Sequence, residues 1–214
     1  MIHDRRLAPY LLSAPALALF ALMVLLPLGL TGLLSFQRFH HDTGVQDGFT
    51  LASYALVLGD SYYWEVFGRT GWVALLTTLI CVAIGAPEAY ILSRMRAPWR
   101  SVLLLVVLAP LLVSVVVRAF GWSLVLGPAG FVNQFFDAVG IGRVRMLYTP
   151  IAVVVALVHV MLPFMVIPVW TSLQKLDPQV ENAALSLGAS RFTVWRRIVL
   201  PQVTPGLLSG GLIV

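Results

Sequence analysis

Residues 181–201 read ENAALSLGASRFTVWRRIVLP, a short, partly charged stretch that is rich in small residues. It lies between two long apolar runs, VVVALVHVMLPFMVIPVW at 153–170 and VTPGLLSGGLIV at 203–214. Apolar runs of this kind are typical of membrane-spanning helices, whose backbone groups must all be hydrogen-bonded internally in lipid. The stretch is therefore predicted to be a loop between two spans of an all-α, polytopic transmembrane helix bundle.

The composition of the whole chain is that of a membrane protein. Hydrophobic residues make up 59% of the 214 residues and charged residues only 11%, with a mean hydropathy of +0.92. A soluble domain carries about 25% charged residues. The lone cysteine, Cys81, lies within an apolar run, so the sequence predicts neither a disulfide framework nor a metal site.

The apolar runs predict five spans, since about 20 apolar residues cross the hydrocarbon core. The first run is longer than the apolar region of roughly 7–15 residues in a signal peptide, so we expect an uncleaved helix. The last run is too short to cross, and we expect a chain truncated in its fifth span. The prediction is a single transmembrane domain over 1–214, with spans at about 8–36, 66–92, 101–120, 148–173 and 204–214 and a loop at 174–203.

The distribution of basic residues predicts the orientation. With a cytoplasmic N-terminus, nine of the 14 Lys and Arg residues face the cytoplasm, as the positive-inside rule requires. The net charge of +5 and the pI near 9.9 then reflect topology, and no nucleic-acid partner is expected. The loop 174–203 faces the cytoplasm. The cytoplasmic residues are Arg5, Arg6, Arg94, Arg96, Arg100, Lys175, Arg191, Arg196 and Arg197.

The loop itself contains the signals of two short helices. Asp177 offers an N-cap oxygen, and Pro178 fits the first helical position. Gly188 is expected to end this first helix, because glycine tolerates the left-handed conformation at that place. One face of the helix is apolar and built largely of small residues, namely Val180, Ala183, Ala184 and Leu187.

The second short helix is predicted to start at Ser190, whose hydroxyl can cap it, and to end at Pro201. Phe192, Trp195 and Val199 recur at helical spacing and are expected to share one face. Two interpretations follow for the hairpin as a whole. It either lies in the membrane interface as an amphipathic element, or its small residues allow close approach by a partner.

The loop resembles the EAA loop of ABC-importer permeases, which reads Glu-Ala-Ala, three residues, Gly, nine residues and Ile-x-Leu-Pro. The spacing is intact, but Asn182 stands where that family usually has Glu, and Glu181 precedes it by one place. The resemblance implies that this loop is a coupling helix, which docks onto a separate ATPase. The coupling residues would be Glu181, Asn182, Ala183, Ala184, Gly188, Ile198, Leu200 and Pro201.

Other stretches are similar to the spermidine/putrescine branch of these permeases, namely VVVRAFGW at 115–122, LVHVMLPFMVIPVWTSLQKLDP at 157–178 and LGAS at 187–190. The resemblance implies an inner-membrane permease subunit that moves polyamines. The alternatives are a permease for iron, sulfate, opines or amino-acid-like solutes, and a non-functional truncated permease. The expected partners are cytoplasmic ABC ATPase subunits, a second permease subunit, an extracytoplasmic substrate-binding protein and the lipid bilayer.

The chain has no sequence of the phosphate-binding kind Gly-x-x-x-x-Gly-Lys-Ser/Thr, so ATP hydrolysis is expected in a partner. The metalloprotease and serine-hydrolase motifs that an intramembrane enzyme would use are also absent. We therefore expect a transport subunit rather than an enzyme, with no cofactor and no metal.

Four polar or aromatic residues within the spans are candidates for the substrate pathway. Glu88 is either a pathway acid, suited to a cationic substrate, or a carboxylate that reaches a nearby basic residue. His159 is either on the pathway or a hydrogen-bonded histidine within the bundle. Arg118 and Trp122 either help form the permeation interface or anchor a helix end at the outer surface. The aromatic stretch SYYWEVF at 61–67 is predicted to be a separate interfacial helix.

Overall fold

The computed structural model describes residues 8–40, 44–46 and 48–214. Its contacts divide the chain into two compact units, Met1–Phe67 and Gly68–Val214, and each is described by itself. Within the described residues, four helical stretches are long and apolar enough to cross a membrane, namely Leu12–Ser35, Ser61–Arg94, Val115–Ala138 and Pro150–Gln174. The chain is thus built of helices, as predicted.

The elements in chain order are α1 (Ala8–Ser35), β1 (Arg38–His40), β2 (Gly44–Gln46), α2 (Ala52–Gly59), α3 (Ser61–Arg94), α4 (Trp99–Leu112), α5 (Val115–Leu126), α6 (Phe131–Ala138), α7 (Pro150–Gln174), α8 (Pro178–Ser186), α9 (Arg191–Val194) and α10 (Leu200–Ile213). A π-helical turn, Trp195–Val199, lies between α9 and α10.

The first unit contains α1, a small antiparallel hairpin and α2. The β1–β2 pair, with Arg38 opposite Gln46, is a departure from the purely helical prediction. Aromatic contacts hold the segment between α1 and α2, since the ring of Phe36 stacks on Phe49 with centroids 4.9 Å apart. The hydroxyls of Ser35 and Tyr54 are 2.7 Å apart.

The aromatic stretch at 61–67 is not a separate helix but the first two turns of α3, which corrects the prediction. Asp60 caps the N-terminus of α3, since its carboxylate accepts a hydrogen bond from the Tyr62 amide at 2.9 Å. Gly68 and Gly71 do not interrupt the helix because a single glycine costs only about 1 kcal/mol there. The 34 residues of α3 extend about 50 Å, more than the hydrocarbon core.

The second unit has one apolar core, which α3, α4, α7 and α10 share. The helices α3 and α7 run in the same direction, because Cys81 lies beside Val158 and Gly85 lies beside Met165. An added Cβ at Gly85 would lie 3.0 Å from Met165 Cγ, so the glycine allows close packing. The buried core residues are Cys81, Ala89, Leu92, Val107, Met165, Val166, Val169, Leu173, Leu176, Val199 and Val203.

The helices α7 and α10 are antiparallel and approach closely at two glycines. A Cβ at Gly206 would lie only 2.6 Å from the Pro168 carbonyl oxygen, and one at Gly210 would lie 3.2 Å from Met165 Cα. Small residues four apart allow membrane helices to bring their backbones together in this way. We call this contact the α7–α10 seam, defined by Gly206, Gly210, Met165 and Pro168.

The predicted third span at 101–120 is interrupted, which corrects its boundaries. Val113 has an extended backbone, so α4 ends at Leu112 and α5 begins at Val115. The run of β-branched valines around this point has low helix propensity. Backbone carbonyls freed at the end of α4 need partners, and the structure supplies one from α5, as described below.

Candidate functional site

The first half of the loop hairpin is α8, which begins where the sequence predicts. Asp177 has an extended backbone, and its carboxylate accepts a hydrogen bond from the Gln179 amide at 2.9 Å. Pro178 is the first helical residue, a position at which the missing N–H removes no helical bond. The predicted N-terminal cap is confirmed. We call α8, the following turn and α9 the α8–α9 hairpin (residues 177–194).

The predicted glycine elbow is also confirmed. Gly188 has φ +85°, a left-handed conformation that L side chains rarely adopt. The Gly188 amide donates to the Leu185 carbonyl at 3.0 Å, and the Ala189 amide donates to the Ala184 carbonyl at 3.1 Å. These two bonds form a Schellman motif, which satisfies carbonyls that the end of a helix leaves free.

The second helix starts at Ser190, as predicted, with the Thr193 amide donating to the Ser190 hydroxyl at 3.2 Å. Its predicted end at Pro201 is wrong, because α9 passes through the π turn into α10 without a break. In the π turn the Leu200 amide donates to the Trp195 carbonyl, five residues back. The wider hydrogen-bond spacing of the π turn widens the helix just before Pro201. In a regular α-helix the ring of Pro201 would clash with the carbonyl group four residues earlier.

The last motif residues, Ile198-x-Leu200-Pro201, therefore belong to the bundle and not to a hairpin end. Ile198 and Leu200 are half-buried, and Ile198 packs against the apolar core of the second unit. Val194 and Val199 are buried, whereas Phe192 is 68% exposed. The predicted face of Phe192, Trp195 and Val199 is thus only partly turned inward.

The apolar face of α8 points away from the bundle. Val180 and Ala183 are exposed, and Leu187 at the elbow is 89% exposed. Ala184 is half-buried. An added Cβ at Gly188 would meet no atom within 4 Å, so the surface around the elbow is open. The hairpin therefore presents a small apolar surface, which we call the outer face and define as Val180, Ala183 and Leu187.

Glu181 points in the opposite direction, toward the bundle. It is only 8% exposed and forms an ion pair with Arg94, the last residue of α3. The Arg94 guanidinium also lies 5.2 Å from the centre of the Tyr90 ring, a cation–π contact. Asn182, which occupies the place of the family's usual Glu, is exposed. A groove of about 160 Å³ beside the ion pair is lined by Tyr90, Glu181, Leu185, Arg191, Val194, Trp195 and Val199.

Sequence reasoning missed Tyr90 altogether and counted Arg94 only as a topology charge. The pair Arg94 and Glu181 is 87 residues apart in sequence, so no local pattern joins the two side chains. The one local signal is that Arg94 is a basic residue at the C-terminus of a helix. This signal is weak, since the helix dipole favours a basic residue there without any partner.

Among the candidate pathway residues, Arg118 has a structural contact. Its Nη1 donates a hydrogen bond of 2.7 Å to the carbonyl oxygen of Pro110 in α4. That carbonyl lies in the last turn of α4, where the break at Val113 removes its helical partner. Arg118 thus stabilises the interruption between α4 and α5.

Trp122 and His159 come together between α5 and α7. Their rings meet edge to face, with centroids 5.5 Å apart and planes at 77°. Arg118 and Trp122 line one groove of about 380 Å³, whose other wall is α7. His159 is exposed in the single chain, and among the described residues no hydrogen bond to its imidazole is present. Its role, on the pathway or as a hydrogen-bonded histidine of the bundle, stays a prediction.

Glu88 stands apart from these three residues. It is half-buried, its Oε2 is buried, and this oxygen has no hydrogen-bond partner within the described part of the chain. The ion pairs found there join other carboxylates, so the predicted pairing of Glu88 with a basic residue is not seen. Glu88 lies seven residues beyond Cys81, which is about 10 Å further along α3 than the level of Val158.

The amino-acid sequence is similar to known transport permeases, although no protein-family model matches it. It is 36% identical over 168 residues to the spermidine/putrescine transport system permease protein PotB of Salmonella typhimurium (strain SL1344), covering 78% of this chain and 58% of the relative. The PotB protein of Escherichia coli (strain K12) has the same identity over the same length, covering 61% of the relative.

A more distant relative is the molybdenum transport system permease protein ModB of Mycobacterium bovis, 32% identical over 140 residues, 65% of this chain and 52% of the relative. Among solved structures, a bacterial ABC transporter involved in the import of the acidic polysaccharide alginate matches 95% of this chain and 70% of its own, with a TM-score of 0.68 and 19% identity. That match shows the fold.

The chain spans about three fifths of the length of the curated PotB relatives, 58% and 61%. Its apolar helices make it a multi-pass protein of the inner membrane. The identity of 36% over most of the chain agrees with the fold match and with the intact spacing of the loop motif. The chain belongs to the family of binding-protein-dependent ABC importer permeases and is similar to its spermidine/putrescine members.

Proposed function

We propose that this protein is the transmembrane subunit of an ABC importer and that its α8–α9 hairpin docks onto a separate cytoplasmic ATPase. The observation that carries this proposal is the outer face of the hairpin, where Leu187 is 89% exposed. An exposed apolar group at a rigid turn is suited to a pocket on a partner, because little conformational entropy is lost on docking. A transport role also agrees with the relatives, which are named transport system permease proteins, and ATP hydrolysis is assigned to the partner.

The hairpin is connected to the bundle so that its movement would reach the helices directly. Only residues 175 and 176 separate it from α7, and it leads through the π turn into α10. ATP binding to the partner can shift the bundle only if the ATPase has different affinity for its two conformations. Docking through the hairpin supplies such a difference, because closing of two ATPases moves two hairpins and the helices attached to them.

The orientation that fits this role has a cytoplasmic N-terminus. The parallel helices α3 and α7 both end on the side of the hairpin, and basic residues gather there. These residues follow the positive-inside rule. The basic residues on that side are Arg94, Arg96, Arg100, Lys175, Arg191, Arg196 and Arg197.

A polyamine is the substrate that the relatives and the pathway residues favour. The relatives from Salmonella typhimurium and Escherichia coli, which match the chain at 36% identity, are named spermidine/putrescine permeases. Glu88 is a carboxylate without a described partner for Oε2, and Trp122 offers an aromatic face, and both suit a cation. A metal oxyanion is the second candidate, because of the 32% identity to a molybdenum permease. A second permease subunit and an extracytoplasmic binding protein complete the proposed complex.

The test is uptake by the full-length protein, purified with its ATPase, sister permease and binding protein and reconstituted in vesicles. Labelled spermidine, putrescine, molybdate, sulfate, iron, an opine and an amino acid are offered with ATP and without it. We expect ATP-dependent uptake of a polyamine. Uptake of molybdate alone would replace the polyamine by the second candidate, and a complex in which ATP drives no uptake of any solute would contradict the importer.

A further inference from the structure

The ion pair of Glu181 and Arg94 joins the α8–α9 hairpin to a helix that is not its neighbour along the chain. The hairpin continues directly from α7 and into α10, whereas α3 ends at Arg94 and is followed by α4. Glu181 lies in the first turn of α8, and its carboxylate reaches across to the guanidinium at the end of α3. The pair is thus a polar connection between the hairpin and α3.

The burial of the pair makes it difficult to separate. The Glu181 side chain is 11% exposed, and a buried carboxylate that loses its partner carries a large desolvation penalty. The Arg94 side chain is 33% exposed, so its end of the pair is partly screened by water. Stacking on Tyr90 restricts the rotation of Arg94 and keeps the guanidinium aimed at α8.

The groove beside the pair shows that apolar packing alone does not hold the hairpin against α3. About 160 Å³ of space remains between Tyr90 on one side and Leu185, Val194 and Val199 on the other. A contact that is partly empty can shift without breaking many interactions, whereas the ion pair fixes one point of it. The position of the hairpin relative to α3 therefore depends on the charged pair more than on contact area.

We propose that the Glu181–Arg94 pair is the connection that makes α3 move with the hairpin, so that Glu181 is a positioning residue for coupling and not a contact to the ATPase. This inference rests on the proposed function. Glu181, one place before the position of the family's usual Glu, is buried against the bundle. Asn182, which occupies that position, is exposed. Docking then relies on the outer face, and transmission to α3 relies on the ion pair.

The test compares Glu181→Gln and Arg94→Gln with the matched control Arg96→Gln in the reconstituted full-length complex. Arg96 is exposed two residues after Arg94, so its change removes the same charge from the same end of the bundle. The measurement is the number of substrate molecules taken up per ATP hydrolysed, at equal protein level. We expect a fall of roughly tenfold for each of the first two variants and no change for Arg96→Gln.

A second measurement separates transmission from simple stability. Spin labels at Ala97→Cys, after α3, and Ser186→Cys, on α8, report the distance between the two elements, since native Cys81 is buried and does not label. We expect this distance to be the same with and without ATP when the pair is intact and to change with ATP in Glu181→Gln. If the pair had a purely structural role, Glu181→Gln would lower the protein level. The distance would then stay the same with and without ATP, and the uptake per ATP would equal that of wild type.

Each outcome bears on the proposal. The double variant Glu181→Gln with Arg94→Gln should recover protein level, because it leaves no unpaired buried charge, but its uptake per ATP should stay low, because the connection is still missing. Where Glu181→Gln does not fold, Glu181→Asp keeps the charge and should lower the ratio several-fold. Normal uptake per ATP in Glu181→Gln would overturn the ion-pair inference and leave the importer standing. A wild-type complex without ATP-driven uptake would overturn both.

Discussion

The α7–α10 seam and the contact between the α8–α9 hairpin and α3 are built in opposite ways. At the seam, glycines bring two backbones together, and a Cβ at Gly206 would lie 2.6 Å from the Pro168 oxygen. At the hairpin, one ion pair between Glu181 and Arg94 lies beside a partly empty groove of about 160 Å³. The first contact brings backbone atoms of α7 directly against the glycines of α10, whereas the second depends on two long side chains.

This difference indicates which parts of the unit move as one. A seam of backbone against backbone transmits displacement stiffly, because close-packed interiors have little room to deform. The hairpin and α3 are instead fixed to each other at one point, by the ion pair beside the groove. We infer that α7 and α10 move as one rigid piece through backbone contact, whereas α3 moves with the hairpin only while the Glu181–Arg94 pair is intact. The following predictions test this division.

The largest effect is expected from a single methyl group at the seam. Gly206→Ala places a Cβ against the Pro168 backbone oxygen and Val169 Cα, so the helices must separate, at a cost of about 2 kcal/mol or more. The control is Gly211→Ala on the same helix, where the new Cβ would lie 3.6 Å from Thr78 Cγ2, an ordinary contact. Thermal unfolding in detergent gives the melting temperature of each variant.

We expect a clear loss of melting temperature for Gly206→Ala and an unchanged or raised one for Gly211→Ala, since alanine is the better helix former. Equal melting temperatures for the two variants would contradict the rigid seam, because they differ only in what the methyl group meets.

The next effect concerns the elbow of the hairpin. Gly188→Val forces a β-branched residue to φ +85°, which costs about 1–3 kcal/mol and distorts the docking surface. The control is Gly140→Val, because Gly140 has φ +83° and open space around it in the segment after α6. Uptake and ATP hydrolysis are measured together in the reconstituted full-length complex.

Both valine variants should lose similar stability, but only Gly188→Val should hydrolyse ATP without transport. Normal uptake by Gly188→Val, at a membrane level equal to that of wild type, would exclude the elbow from coupling. Loss of coupling in Gly140→Val as well would show that strain alone, wherever it lies, is responsible.

A smaller effect on the protein itself is expected at the outer face. Leu187→Asn removes an apolar side chain that is 89% exposed, so the stability of the isolated protein should change by no more than about 0.5 kcal/mol. Binding of the ATPase, measured by co-purification and by titration in detergent, should weaken at least several-fold. Val139→Asn, at an exposed valine after α6, serves as the control and should bind normally. Unaltered ATPase binding by Leu187→Asn would remove the outer face from docking.

The smallest effect on stability is expected at Glu88, which is half-buried in α3. Glu88→Gln breaks no ion pair described in the structure, so the free energy of unfolding should stay within about 0.5 kcal/mol of the wild-type value. The abundance of the protein in the membrane should then be unchanged. Uptake of a cationic substrate should fall several-fold if this carboxylate lines the pathway, while ATPase binding stays normal. Unaltered uptake together with unaltered abundance would exclude Glu88 from the pathway and from the stability of the bundle.

The features that the sequence predicted correctly depend on local chemistry. The cap at Asp177 and the start at Pro178 follow from a side-chain oxygen and a missing N–H within one helical turn. The elbow at Gly188 follows from the one residue type that takes a positive φ without strain. Apolar runs of sufficient length predicted the membrane helices, because lipid leaves the backbone no other hydrogen-bond partner.

The features that only the tertiary structure decided depend on contacts between distant parts of the chain. The inward turn of Glu181 follows from Arg94, 87 residues away, and the junction of α4 and α5 is stabilised by the bond from Arg118 to Pro110. Helix continuity through Pro201 follows from a π turn that no propensity scale contains. Local pattern determines where a helix can begin and bend, but the direction in which a charged side chain points is decided by the partner that offsets its desolvation.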